Sequence, residues 1–122
     1  MNKNTKQYDL EARTMQFSED IILFLRKIKK DTINMPLISQ LVRSATSIGA
    51  NYCEANGACS KKDFKNKIYI CKKEAKETKY WLQLIGKANV EVAEECKTHL
   101  KEVQELTLIF SKIVQTIERQ ED

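Results

Sequence analysis

A chain of 122 residues, 31% charged and 42% hydrophobic with three glycines and one proline, fits one domain and argues against a disordered chain, a collagen-like repeat or a turn-rich β-sandwich. The net charge of +4, from 21 Lys and Arg against 17 Asp and Glu, is too small to bind nucleic acid by bulk charge, so only a local concentration of lysine would do so. One histidine and no glycine-rich loop leave few parts for catalysis, and no enzyme is expected.

The opening segment MNKNTKQYDLEARTMQF has no uninterrupted apolar stretch of the kind that marks a signal peptide. Nothing in the chain approaches the ~18 apolar residues that span a bilayer. A cytoplasmic protein without a membrane partner is predicted. The first helix is expected over 8–31: Leu10, Phe17, Ile21, Phe24 and Ile28 recur at heptad-like steps, widened by Ile22 and Leu25. The basic run Arg26, Lys27, Lys29, Lys30 suits the negative end of its dipole.

Pro36 opens a second helix, expected over 36–56, from a first-turn position where its missing N–H costs nothing, and Gly57 stops it. Between Leu37 and Cys59 only Arg43 and Glu54 are charged. One face carries Leu37, Leu41, Ala45, Ile48, Tyr52 and Ala55, the next Ile38, Val42, Thr46, Gly49, Ala50 and Cys53. A monomeric bundle buries one side of each helix, so a helix apolar or small over two sides predicts a homo-oligomer, with Gly49 and Ala50 at a close subunit contact. The third face holds Gln40, Arg43, Ser44, Ser47, Asn51 and Glu54. It reads better as a hydrogen-bonded network with Glu74 and Glu77 than as a pocket with Glu54 as base and Ser44 or Ser47 as nucleophile, because no activating histidine motif accompanies the serines.

Ser60 and Asp63 resemble a capping box for a third helix over 61–86. Its seam is Phe64, Ile68, Cys71, Ala75, Thr78, Leu82 and Ile85, in strict 3-4 spacing. Lys61, Lys62, Lys65, Lys72, Lys73, Lys76 and Lys79 fall within about 120° on the opposite side, joined by Tyr69 and Tyr80, while Lys67 falls outside. Lysines that neutralise phosphates and tyrosines that stack on bases suit sequence-tolerant nucleic-acid binding. The bland alternative is a solvated face that keeps the protein soluble, with a neighbouring acidic helix cancelling its field. Ile70, Trp81 and Leu84 form an offset apolar strip, with Trp81 the preferred interface anchor.

Gly86 and Asn89 mark the next turn. A fourth helix over 91–119 follows, its stripe being Cys96, Leu100, Val103, Leu106, Phe110, Ile113 and Ile117. The cysteines, Cys53, Cys59, Cys71 and Cys96, lack C-x-x-C spacing and are expected as reduced, buried thiols. A zinc site would need four ligands, and His99 comes from the same segment as Cys96, so neither metal nor cofactor is expected. The whole reads as an all-α, antiparallel up-down-up-down four-helix bundle of one domain.

The stretch L-x-x-Q-L-x-R-S-A-x-S-I-x-A-N from Leu37 to Asn51, then Glu54, Gly57, Ser60 and Phe64, and E-A-x-E-T-x-Y-W-L from Glu74 to Leu82, resembles the signature of the 23S rRNA intervening-sequence protein family. The resemblance implies a bacterial homopentameric ring of four-helix bundles with no established enzymatic activity. A related group, the accessory variability determinant proteins of diversity-generating retroelements, is similar in fold and associates with a reverse transcriptase and nucleic acid. The expected partners are therefore further copies of the chain and RNA or a ribonucleoprotein, and the signature positions are Gln40, Arg43, Ser44, Ser47, Asn51, Glu54, Glu74 and Glu77. A scaffold that docks protein and touches no nucleic acid is the alternative.

Overall fold

The structure, a computed structural model, describes the backbone over 5–121 and the side chains over 10–121. The first four residues of the segment searched for a signal peptide lie outside the described residues. Four α-helices follow one another: α1 (Thr5–Arg26), α2 (Asn34–Asn56), α3 (Lys61–Ala88) and, after a 3-10 turn at Val90–Val92, α4 (Ala93–Glu121). The described residues form a helical bundle without strands, and none of its helices is long and apolar enough to cross a membrane.

Each helix contributes the face that its periodicity marks. Phe17, Ile21, Phe24, Leu41, Ile48, Ile68, Leu82, Ile85, Leu106 and Phe110 are fully enclosed, and α3 lies at the centre of the packing, against both α2 and α4. Some expected stripe positions differ, Leu37, Phe64 and Leu100 being only partly covered. Ile22 stays exposed on the α2 side of α1, and on α4 Val114 is buried where Ile113 and Ile117 are only partly covered. Successive contacts pair ascending with descending residues. Thr78 Oγ1 donates to Ser44 Oγ (2.9 Å), Cys71 Sγ to the Ile48 carbonyl (3.5 Å), and Lys67 pairs with Glu54 (2.7 Å). Arg13 meets Glu102 (2.7 Å) while Lys27 meets Glu95 (3.0 Å).

The helix ends depart from the sequence expectation for local reasons. α1 stops at Arg26, short of residue 31, because the backbone N–H groups of Lys27 and Ile28 close on the Phe24 and Leu25 carbonyls, three residues back. Lys30 then folds back and donates to the Ile28 (2.9 Å) and Leu25 (3.1 Å) carbonyls, a cation at the negative end of the helix. Asp31 Oδ1 accepts from the N–H groups of Ile33 (3.1 Å) and Asn34 (2.8 Å), so α2 starts at Asn34 and places Pro36 inside its first turn. Gly57 ends α2 at φ −98°, without the left-handed conformation. α3 runs through Gly86 to Ala88, and α4 begins at Ala93 after the 3-10 turn.

Two glycines set how closely helices approach. A Cβ on Gly49 would lie 3.1 Å from Thr14 Oγ1 and 3.3 Å from Thr14 Cβ, so this glycine serves the α1–α2 contact within the chain. At Gly86 the same atom would lie 3.1 Å from Cys96 Sγ, which is why a glycine that reads as a turn sits inside α3. One buried pair ties the two interhelix connections at that end of the bundle. Asn34 and Asn89 exchange side-chain amide hydrogen bonds in both directions, each 2.9 Å, and Asn34 also donates to the Lys29 carbonyl and Asn89 to the Ile85 carbonyl.

Candidate functional site

α3 starts where Ser60 Oγ accepts from the Asp63 N–H at 3.0 Å, which anchors the register of the lysine face that follows. Packing decides which of its cations are engaged. Lys65 pairs with Glu121 at 2.9 Å and Tyr69 donates to Glu118, and these bonds push the lysine ammonium and the tyrosine phenol upward in pKa. Lys67 is taken up by Glu54 on the α2 side. Among the described residues Lys61, Lys62, Lys72, Lys73, Lys76 and Lys79 enter no ion pair. The acidic edge of α4 ends at Glu118: the residues that continue it at helical steps are Gln115, Ser111, Thr107 and Gln104, all uncharged.

Tyr80 and Tyr69 therefore differ in state. Tyr80 is 55% exposed and packs edge-on against Trp81, with ring centroids 5.0 Å apart at 76°, whereas the hydroxyl of Tyr69 is held by Glu118. Lys87, which sequence reading leaves beyond the end of the helix, stands on the same face two turns after Tyr80 because α3 continues to Ala88. The signal was its i+7 spacing from Tyr80, obscured by Gly86.

On the α2 side of α3 a second constellation forms around Arg43. Its guanidinium lies 3.3 Å from Glu74 and also donates to Glu77, and Trp81 Nε1 donates to Glu77 Oε1 at 3.3 Å. Glu74, first, and Glu77 hold the Arg43 pKa above its ordinary value. Glu74 is buried, and its Oε1 has no hydrogen-bond partner despite the nearby guanidinium, so the charge pairing carries that oxygen. Ser44 is enclosed under Thr78. The remaining stripe residues stay apart from this group: Asn51 Nδ2 donates to the Ser47 carbonyl one turn back (2.8 Å), Glu54 belongs to Lys67, and Gln40 is exposed. The expected network with Glu74 and Glu77 is therefore seen around Arg43 alone: Glu54 reaches α3 separately through Lys67, Asn51 bonds within its own helix, and Gln40 is exposed. Ser44 Oγ donates to the Leu41 carbonyl and accepts from Thr78, and among the described residues neither serine bonds to a base.

A third feature is an open groove of about 660 Å³ between α1 and α2, lined by Met15, Ile22, Thr46, Gly49, Ala50 and Cys53 with Glu11 and Glu19 at its edges. Cys53 and Cys59 are exposed, against the expectation of buried thiols, because residue 53 faces this groove and residue 59 lies in the α2–α3 connection. Cys71 and Cys96 are buried, and burial pushes the Cys71 thiol up to about 12. Among the described residues no three His, Cys, Asp or Glu side chains gather to hold a metal ion. The strip beside Trp81 is half-covered at Ile70 and Trp81 and exposed at Leu84.

A family model described as 23S rRNA-intervening sequence protein matches residues 6–116. A crystal structure of a protein of unknown function from the S23 ribosomal protein family of Bacteroides thetaiotaomicron VPI-5482 superimposes with a TM-score of 0.78 at 31% identity, covering 85% of this chain and 96% of that one. Among curated proteins none matches the sequence.

Proposed function

Because the chain belongs to the 23S rRNA-intervening sequence protein family, we propose that it works without catalysis, as a homo-oligomeric, antiparallel up-down-up-down bundle that binds RNA through the lysine face of α3. The descending residue pairs between neighbouring helices support the antiparallel course. The resemblance supports a ring of five copies. The observation that carries the RNA reading is the run Lys72, Lys73, Lys76 and Lys79, which has no carboxylate partner among the described residues while Glu118 and Glu121 engage the start of the helix. Serines without a base, and Glu54 tied to Lys67, support the absence of catalysis.

Replacing Lys72, Lys73, Lys76 and Lys79 together by Glu should abolish retention of total bacterial RNA at low salt and leave the mass by light scattering unchanged. A wild-type protein indifferent to RNA at low salt refutes the RNA reading, and a monomeric mass refutes the assembly. The apolar groove between α1 and α2 favours a second reading, a scaffold that docks protein and no nucleic acid. One stoichiometric protein recovered after nuclease treatment would favour it.

A further inference from the structure

We infer that the lysine face of α3 takes unpaired RNA rather than duplex RNA, with Tyr80 as the residue on which a base stacks and Lys72, Lys73, Lys76, Lys79 and Lys87 holding the backbone beside it; this rests on the RNA reading above. Three observations carry it. The first is the linear form of the surface. Lys72, Lys76 and Lys79, then Lys87 beyond Gln83, follow one another along a single helix at steps of three and four residues, which sets neighbouring positions about 5–6 Å apart. The file from Lys72 to Lys87 extends about 22 Å, at 1.5 Å per residue. A strand whose phosphates lie along a line fits such a file. The narrow major groove of duplex RNA does not admit side chains, and duplex recognition instead spreads contacts across two successive minor grooves, which one straight row of lysines does not span.

The second observation is the tyrosine. Tyr80 lies within the file, one turn after Lys76 and two turns before Lys87, with its ring more than half exposed. The other tyrosine of the face is tied to Glu118. A duplex keeps its bases stacked on one another, whereas an unpaired strand offers base faces that can stack on an exposed aromatic set among cations. The third observation is that the platform has an anchored neighbour. Trp81 meets Tyr80 in an edge-to-face contact, Glu77 accepts from Trp81, and Arg43 of α2 donates to Glu77. Holding the ring before a base arrives lowers the ordering cost of binding.

The test is fluorescence anisotropy of the full chain with a labelled unpaired RNA 12-mer and with the same sequence in a blunt duplex. Wild type, Tyr80→Ala and Tyr69→Ala are compared from low to physiological salt, with helix content checked by circular dichroism. The unpaired strand should bind more tightly than the duplex. Its log–log salt slope should be near −3.5, from about −0.7 for each phosphate neutralised by the five lysines. Tyr80→Ala should weaken binding about ten-fold, the loss expected of one base–aromatic stack, and Tyr69→Ala less than two-fold. The single tryptophan, Trp81, touches Tyr80 and gives an independent readout: its emission should change with unpaired RNA in wild type and not in Tyr80→Ala. Duplex bound as tightly as the single strand, or Tyr80→Ala binding like wild type, overturns this inference and leaves the RNA reading standing. No binding of either RNA at low salt removes both.

Discussion

Truncation of Asn34 to Ala tests the buried amide pair that joins the two connections at one end of the bundle. Asn34 and Asn89 are 3% and 4% exposed, and each has its side chain fully engaged by the other and by a backbone carbonyl. Removing the Asn34 amide leaves Asn89 Oδ1 without its donor and the Lys29 carbonyl without its side-chain partner. Asn89 Nδ2 keeps the Ile85 carbonyl. A buried polar atom stripped of its partner costs about 1–3 kcal/mol, and entry of water into the vacated space offsets part of this. The expected loss is about 3 kcal/mol, which for a domain of this size lowers Tm by about 10 °C. Urea unfolding followed by circular dichroism, at one fixed protein concentration, measures it. Asn34→Ala, Asn89→Ala and the double variant form a cycle in which the double costs less than the sum by about 1–2 kcal/mol, since the second truncation removes groups the first left unpaired. A loss below about 0.5 kcal/mol in either single variant, or strict additivity, would refute the reasoning, because the amides would then be exchanging water for one another at no gain.

Gly49→Ala should destabilise by about 1 kcal/mol, since overpacking against Thr14 at 3.1 Å costs more than the helix propensity gained; in a Thr14→Ala background, which removes the nearest atom, the cost should shrink, and urea midpoints decide. Ellman's reagent at pH 8 should label Cys53 and Cys59 rapidly, with Cys71, pushed up to about 12 by burial, and Cys96 labelled only on unfolding. Rapid labelling of all four would contradict the burial of the latter two. Glu95 is held below its ordinary value of 4.5, chiefly by the Lys27 hydrogen bond. Because its folded pKa is depressed, its contribution to stability is present above pH 4.5 and is lost as pH falls through the lower folded value. The difference between wild type and Lys27→Met in urea midpoint should therefore shrink on acidification, and a constant difference would count against the pairing.

The helices were legible because helical burial is a one-dimensional pattern. Ile68, Cys71, Ala75, Thr78, Leu82 and Ile85 are all buried, as their 3-4 spacing requires. Caps were legible only where the capping side chain sits beside its helix. Ser60 was visible, whereas Lys30 folding back on α1 and Asp31 reaching forward to α2 shifted the boundaries there. Lys87 was missed because Gly86 reads locally as a stop, and its true reason, the approach of Cys96, comes from another helix.

The sequence by itself determined which side of each helix would be buried and that lysines and tyrosines would share one face of α3, because both follow from spacing along a single helix. Tertiary structure decided which of those groups stay available. The register of α3 against α4 places Glu118 and Glu121 on Tyr69 and Lys65, while the register of α3 against α2 gives Glu77 to Arg43 and Trp81. It also brought Asn34 against Asn89 and Gly49 against Thr14. Such pairings join residues distant in sequence, and their geometry exists only once the helices have packed.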